Sequence, residues 1–158
     1  MQLISQQQIK NLNISPTECV EWIKESFSLK EKAILPHKIS VNPRGNDFFN
    51  TMPCLLPSPY NYFGVKEVHR IKGAVPALGG DILLYSSLTG ELLAMLDSDW
   101  ITAMRTGAVA TLAIKTFRKN NTERWLVFSS PIGVETFFEK LLYYTTRDAL
   151  DKPNLTED

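Results

Sequence analysis

Leu88-Thr89-Gly90-Glu91-Leu92-Leu93-Ala94-Met95-Leu96-Asp97-Ser98-Asp99-Trp100-Ile101-Thr102-Ala103-Met104-Arg105-Thr106-Gly107-Ala108 holds two changes of structure in one short run. Thr89-Gly90 lies between two apolar segments, 81–87 and 91–96, and this arrangement predicts a β-hairpin. Asp97 and Ser98 then supply side-chain oxygens where a helix must begin, because the first backbone N–H groups of a helix have no partner within it. Ile101, Met104, Ala108 and Leu112 follow at helical spacing and give that helix one apolar face. Arg105 and Thr106 fall in its second turn. A guanidinium held near the positive end of a helix suits a carboxylate or a phosphate.

Working outward, Ser15-Pro16-Thr17-Glu18 is a helix start, with a Ser cap, Pro in the first turn and Glu three residues after the Ser. Val20, Ile23 and Phe27 continue it at helical spacing, and 29–32 ends it. Residues 1–14 read as a short strand or turn leading inward. The segment 34–59 contains Pro36, Pro43, Pro53, Pro57 and Pro59, which interrupt pairing, so short strands joined by bends are expected. The candidate strands are 39–42, 48–56 and 60–71, with a turn at 43–47 and a loop at 73–80. Strands in the middle and helices at the ends predict an α+β fold with a mixed or antiparallel sheet.

The chain has 158 residues, enough for one domain with a real core. Seventeen basic residues balance seventeen acidic ones, so there is no field to draw in nucleic acid or an anionic membrane. No apolar run is long enough to span a bilayer, and the polar N-terminus lacks signal-peptide character; the expectation is a cytoplasmic protein. Cys19 and Cys54, with His37 and His69, match neither a disulfide scaffold nor a metal-ligand spacing. No metal is expected.

The opening stretch resembles the signature of the ornithine cyclodeaminase/mu-crystallin family, in which a Thr-Gly turn, an apolar strand ending in Asp and a helical Arg-Thr pair follow one another. Arg105 and Thr106 stand as that pair. Met52-Pro53 matches the family's Met-Pro element, and Gly64-Val65-Lys66 its Gly-Val-Lys element. The resemblance implies that Lys66 is the active-site lysine and that Lys38 occupies the place of a second substrate-binding arginine. Lysine there keeps the charge and loses the bidentate fork, for which Arg44 in the adjacent turn is the available substitute. The implied fold is the family's substrate-binding and dimerisation domain.

Beyond the signature helix the family continues into a Rossmann domain, where a strand runs into a glycine-rich phosphate loop. Here the tail contains one glycine, Gly133, and no such loop. The stretch 123–134, followed by an apolar pattern at Phe138, Leu141, Leu142 and Tyr144, resembles the family's C-terminal strand and closing helix. The implied organisation is a single domain, 1–158. Residues 1–120 form its N-terminal part, 123–150 form a returning strand and helix, and the nucleotide domain is absent between about 120 and 123. Hydride transfer needs a cofactor, since no side chain accepts a hydride, so no cofactor is expected and NAD-dependent turnover should be lost.

What remains is the cationic set Lys66, Arg105, Thr106 and Lys38, which an anion would complete. The expectation is a cofactor-less protein that binds a carboxylate-bearing ligand, an amino acid or a peptide. The favoured role is a dimeric accessory that holds a precursor for a tailoring enzyme in ribosomal-peptide natural-product biosynthesis. Two alternatives stand beside it: a cofactor-independent cyclase or hydrolase with Lys66 as base, and a dimeric scaffold with a vestigial pocket. In the second, Lys66 and Arg105 pair with Glu67, Glu91 or Asp97. Trp100, Trp125, Tyr143 and Tyr144 are assigned to core packing.

Overall fold

The computed structural model describes residues 1–117. The tail strand, the closing helix, Trp125 and the Tyr143-Tyr144 pair all lie outside the described residues. The elements run β1 (Gln2–Ile4), α1 (Gln6–Asn11), α2 (Pro16–Leu29), β2 (Ile39–Val41), β3 (Phe48–Leu56), β4 (Tyr62–Arg70), β5 (Leu78–Ser86), β6 (Leu92–Asp97) and α3 (Asp99–Phe117). The strands form one sheet in the order β1-β6-β5-β4-β3-β2. From β2 to β6 every neighbour is antiparallel, while β1 joins β6 in parallel, so the sheet is mixed, one of the two arrangements expected. No described helix is long and apolar enough to cross a membrane.

Turn chemistry accounts for most of this order. Gly90 takes φ +74° in the β5–β6 turn, and Thr89 N–H donates to Ser86 Oγ. Only glycine adopts such a φ without strain, which is why the Thr-Gly pair marks the hairpin. Between β2 and β3, Gly45 takes φ +50° inside the expected 43–47 turn. Pro53 sits within β3 opposite Val65 of β4. Leu55 N–H, two residues on, points to the outer side and reaches Ile34 O. The N–H that Pro53 lacks would therefore face the same open side, beyond the end of β2, so the proline removes no ladder hydrogen bond.

Two expectations need correction. Residues 1–14 hold a helix, α1, as well as β1. Ser5 accepts from Gln8 N–H while Gln8 Oε1 accepts from Ser5 N–H, a capping box written in the sequence as Ser-Gln-Gln-Gln. The 73–80 loop is also shorter than expected. Gly79 and Gly80 pair with His69 and Val68 and belong to β5. A Cβ at Gly80 would overlap the Glu67 carbonyl oxygen and sit 2.9 Å from Ser98 Oγ, so glycine is required by close approach and not by a turn.

The described residues divide into two compact units, 1–13 with 26–101, and 14–25 with 102–117. The first contains the sheet and α1. α2 buries Pro16, Cys19 and Val20 on a single face within the second unit, while Phe27, expected on that face, is 54% exposed and belongs to the first. Ser15 caps α2 as predicted: its N–H and hydroxyl reach Glu18 Oε2 at 2.8 and 2.7 Å, and Glu18 N–H returns to Ser15 Oγ at 3.2 Å. On α3 the buried positions are Met104, Gly107, Ala108 and Thr111, so the buried stripe passes through Thr111 while Leu112 is half-buried.

Candidate functional site

Lys66 lies at the middle of β4, half-buried, directly between Met52 of β3 and Ile82 of β5. Its transverse row continues through Leu96 of β6 to Ile4 of β1, an otherwise apolar line across the sheet. Lys38 precedes the Ile39–Thr51 pair by one residue. Continued by one step, that register sets Lys38 beside Met52 and so in the row of Lys66. It is two strand spacings, about 10 Å, away. Lys38 is exposed.

Arg105 and Thr106 occupy the second turn of α3. Helix entry follows the predicted capping with one amendment. Asp99 N–H donates to Asp97 Oδ1 at 3.0 Å, whereas Ser98 Oγ is buried without a hydrogen-bond partner among the described residues. Arg105 is exposed, and no ion pair from it forms among the described residues. Thr106 Oγ1 donates to the Thr102 carbonyl at 2.7 Å, so its proton is spent within the helix and its oxygen can only accept. Lys38 and Lys66 belong to the sheet-bearing unit, Arg105 and Thr106 to the other.

The opposite face of the sheet carries groups that the linear sequence does not reveal. Glu67, Asp81 and Asp97 stand directly opposite one another on β4, β5 and β6. Like charges so placed repel. Asp99 joins them at the start of α3. Burial holds its carboxyl above the usual carboxylate range, the Asp97 charge adds to this, and a hydrogen bond from the Gly80 backbone opposes it. His69 lies on the same face, stacked 5.8 Å from Phe49, with Nε2 3.0 Å from the place a Cβ would take on Gly79. His69 is therefore half-buried among partners and not a plain surface residue. Among the described residues no group of three His, Cys, Asp or Glu side chains could hold a metal ion.

Arg44, the proposed substitute for the lost arginine fork, is engaged elsewhere. Its Nε donates to Asp47 Oδ2 at 2.8 Å, and its guanidinium lines a hollow with Arg70 and Lys72. Asp47 thus ties down the 43–47 turn, while the Arg44 side chain is 74% exposed to solvent.

The model of the ornithine cyclodeaminase/mu-crystallin family matches residues 1–141. A Δ1-pyrroline-2-carboxylate reductase from Colwellia psychrerythraea is 28% identical over 140 residues, covering 82% of this chain and 42% of the reductase. The solved Thermococcus litoralis Δ1-pyrroline-2-carboxylate reductase, in complex with NADH and L-proline, superposes with a TM-score of 0.66 at 30% identity, over 73% of this chain and 37% of its own. An archaeal alanine dehydrogenase, solved as a dimer with bound NAD, gives 0.65 at 30% identity over 73% and 36%. The chain thus spans about two-fifths of the length of these relatives.

Proposed function

The chain belongs to the ornithine cyclodeaminase/mu-crystallin family, and from that premise we propose that it is a binding protein for a carboxylate-bearing ligand, without nicotinamide-dependent turnover. Arg105 is the ligand's electrostatic partner and Thr106 contributes an acceptor oxygen; Lys66 and Lys38 are proposed ligand contacts on family resemblance alone. The observation that carries the reading is the exposed Arg105, unpaired among the described residues in the second turn of α3, directly after the β5–β6 hairpin. A guanidinium offers a planar fork that matches a carboxylate with two parallel hydrogen bonds. The solved T. litoralis relative holds L-proline, a ligand with a free carboxylate, which supports the ligand class.

The ligand we favour is a peptide with a free C-terminus, held for a partner enzyme of ribosomal-peptide biosynthesis. The chain acts as a homodimer. Ile39, Val41 and Phe49, neighbours on β2 and β3 at one edge of the sheet, are each about half exposed or more on the face opposite Lys66. Such a surface suits a second copy. Arg105→Ala should weaken binding of a carboxylate-bearing peptide by roughly 10–100-fold, the loss typical of a charge-assisted pair. Calorimetry on the variant and the parent checks this, and NAD or NADH in the same cell should give no heat of binding. Unchanged peptide affinity would remove Arg105 from the site, and micromolar NAD binding would overturn the cofactor-less reading.

A further inference from the structure

The hollow beside the β2–β3 turn includes neither Lys66 nor Arg105 and is lined by Arg44, Gly45, Asn46, Asp47, Arg70 and Lys72. Its volume is about 640 Å³, within the range of small-molecule pockets. Arg44 and Arg70 act electrostatically on one carboxylate, and Lys72 is a third cationic residue in the lining. That carboxylate belongs to Asp47, which is only 4% exposed. Lys72 N–H donates to its Oδ1 at 2.7 Å and Arg44 Nε to its Oδ2 at 2.8 Å. The backbone bond from Lys72, then that from Arg44, holds the Asp47 carboxyl below its usual range, so it stays ionised and occupied.

Asp47 therefore acts as the strut of the site. It ties the turn to the segment after β4, while Asn42 Nδ2 donates to its carbonyl at 3.1 Å and its own N–H reaches Arg44 O at 2.9 Å. Arg44 gives Nε to this strut, and no described residue takes its terminal Nη groups. Neither Arg70 nor the Lys72 ammonium forms an ion pair among the described residues. Two positive charges remain unmatched, on a frame whose backbone is already fixed.

We infer that this hollow is a second ligand site, one that takes a phosphate monoester. A dianion matches the surplus charge, and its three acceptor oxygens can meet a guanidinium fork and an ammonium together. A lone carboxylate would satisfy only half of the charge. The hollow also exceeds the size of inorganic phosphate, so an organic group attached to the phosphate has room. The site does not depend on the carboxylate reading above, because it shares no residue with it.

The test titrates the full-length chain with glycerol 3-phosphate, inorganic phosphate and acetate at matched ionic strength, following backbone amide shifts in 45–47 and 70–72. Saturable shifts are expected with both phosphates, tighter for the ester, and none with acetate. Because lipid headgroups carry the same chemistry, vesicles of phosphatidylcholine with and without phosphatidate form a second arm. Arg70→Gln and Lys72→Gln, both at exposed side chains, should each lower affinity roughly tenfold, about 1.4 kcal/mol, while leaving the spectrum folded. Binding to the soluble ester or to phosphatidate vesicles that Arg70→Gln weakens would support the site and identify its source. No saturation in either arm, an equal response to acetate, or affinity unchanged in both folded variants would overturn it.

Discussion

Asp99 and Asp47 show how two carboxylates in one fold come to oppose each other in their response to pH. Asp47 receives two hydrogen bonds and titrates below its ordinary value near 3.8. A group lowered in this way stabilises the fold above its unfolded pKa, and that contribution is lost as pH falls through the lower folded value. Asp99 is raised, chiefly by burial and then by Asp97. Its ionised form therefore penalises folding at neutral pH, and the penalty fades as pH falls through the raised folded value. Asp99→Asn keeps an acceptor for the Gly80 N–H and removes the charge. The variant should melt at a higher temperature than the parent at pH 7, with the difference shrinking as the buffer is taken down toward pH 4. A melting temperature that is lower at pH 7, or an equal gain at both pH values, would show that the acidic row on this face does not strain the fold.

At the scale of elements, capping residues were the most legible signal in the chain. Ser15-Pro16-Thr17-Glu18 states both halves of a reciprocal hydrogen-bonded cap, and both are formed at α2. Ser15→Ala should accordingly cost about 1 kcal/mol, read as a shift in the denaturation midpoint with an unchanged slope; no shift would mean the cap adds nothing to stability. The Ser5-to-Gln8 box of α1 carries the same code, but a helix of only six residues without an apolar stripe is hard to tell from the short strand or turn expected over 1–14. Gly79-Gly80 misled in the other direction. Adjacent glycines usually mark a loop, yet here they let β5 pass close to the Glu67 carbonyl and the His69 ring. Phe27 and Leu112 fit helical periodicity, but the buried positions of α2 and α3 pass through Cys19 and Thr111 instead. Periodicity fixes that a stripe exists better than it fixes where the stripe ends.

For the molecule as a whole, local patterns carry the strands and most of their turns, while Lys66 and Arg105 stand as site residues on family resemblance alone. The acidic row and the basic hollow escaped both because they depend on register. Glu67, Asp81 and Asp97 lie in three strands and become neighbours only once the hairpins close. The β3–β4 pairing likewise sets Phe48 opposite Arg70 and so brings the 43–47 turn to the end of β4. The apolar patch of Ile39, Val41 and Phe49 at the β2 edge bears on assembly, and sedimentation at micromolar concentration should show a dimer. Val41→Asp, at a position 59% exposed in the single chain, should shift that dimer toward monomer while leaving the fold intact. A parent that sediments as a monomer would contradict the homodimer.

The proposal that this protein captures a free carboxylate is tested most directly by titrating it with one short peptide in two forms, C-terminal acid and C-terminal amide, at fixed ionic strength. The account predicts that the acid binds at least tenfold more tightly, because only the acid can engage the Arg105 fork. Equal affinity for the two forms would contradict it.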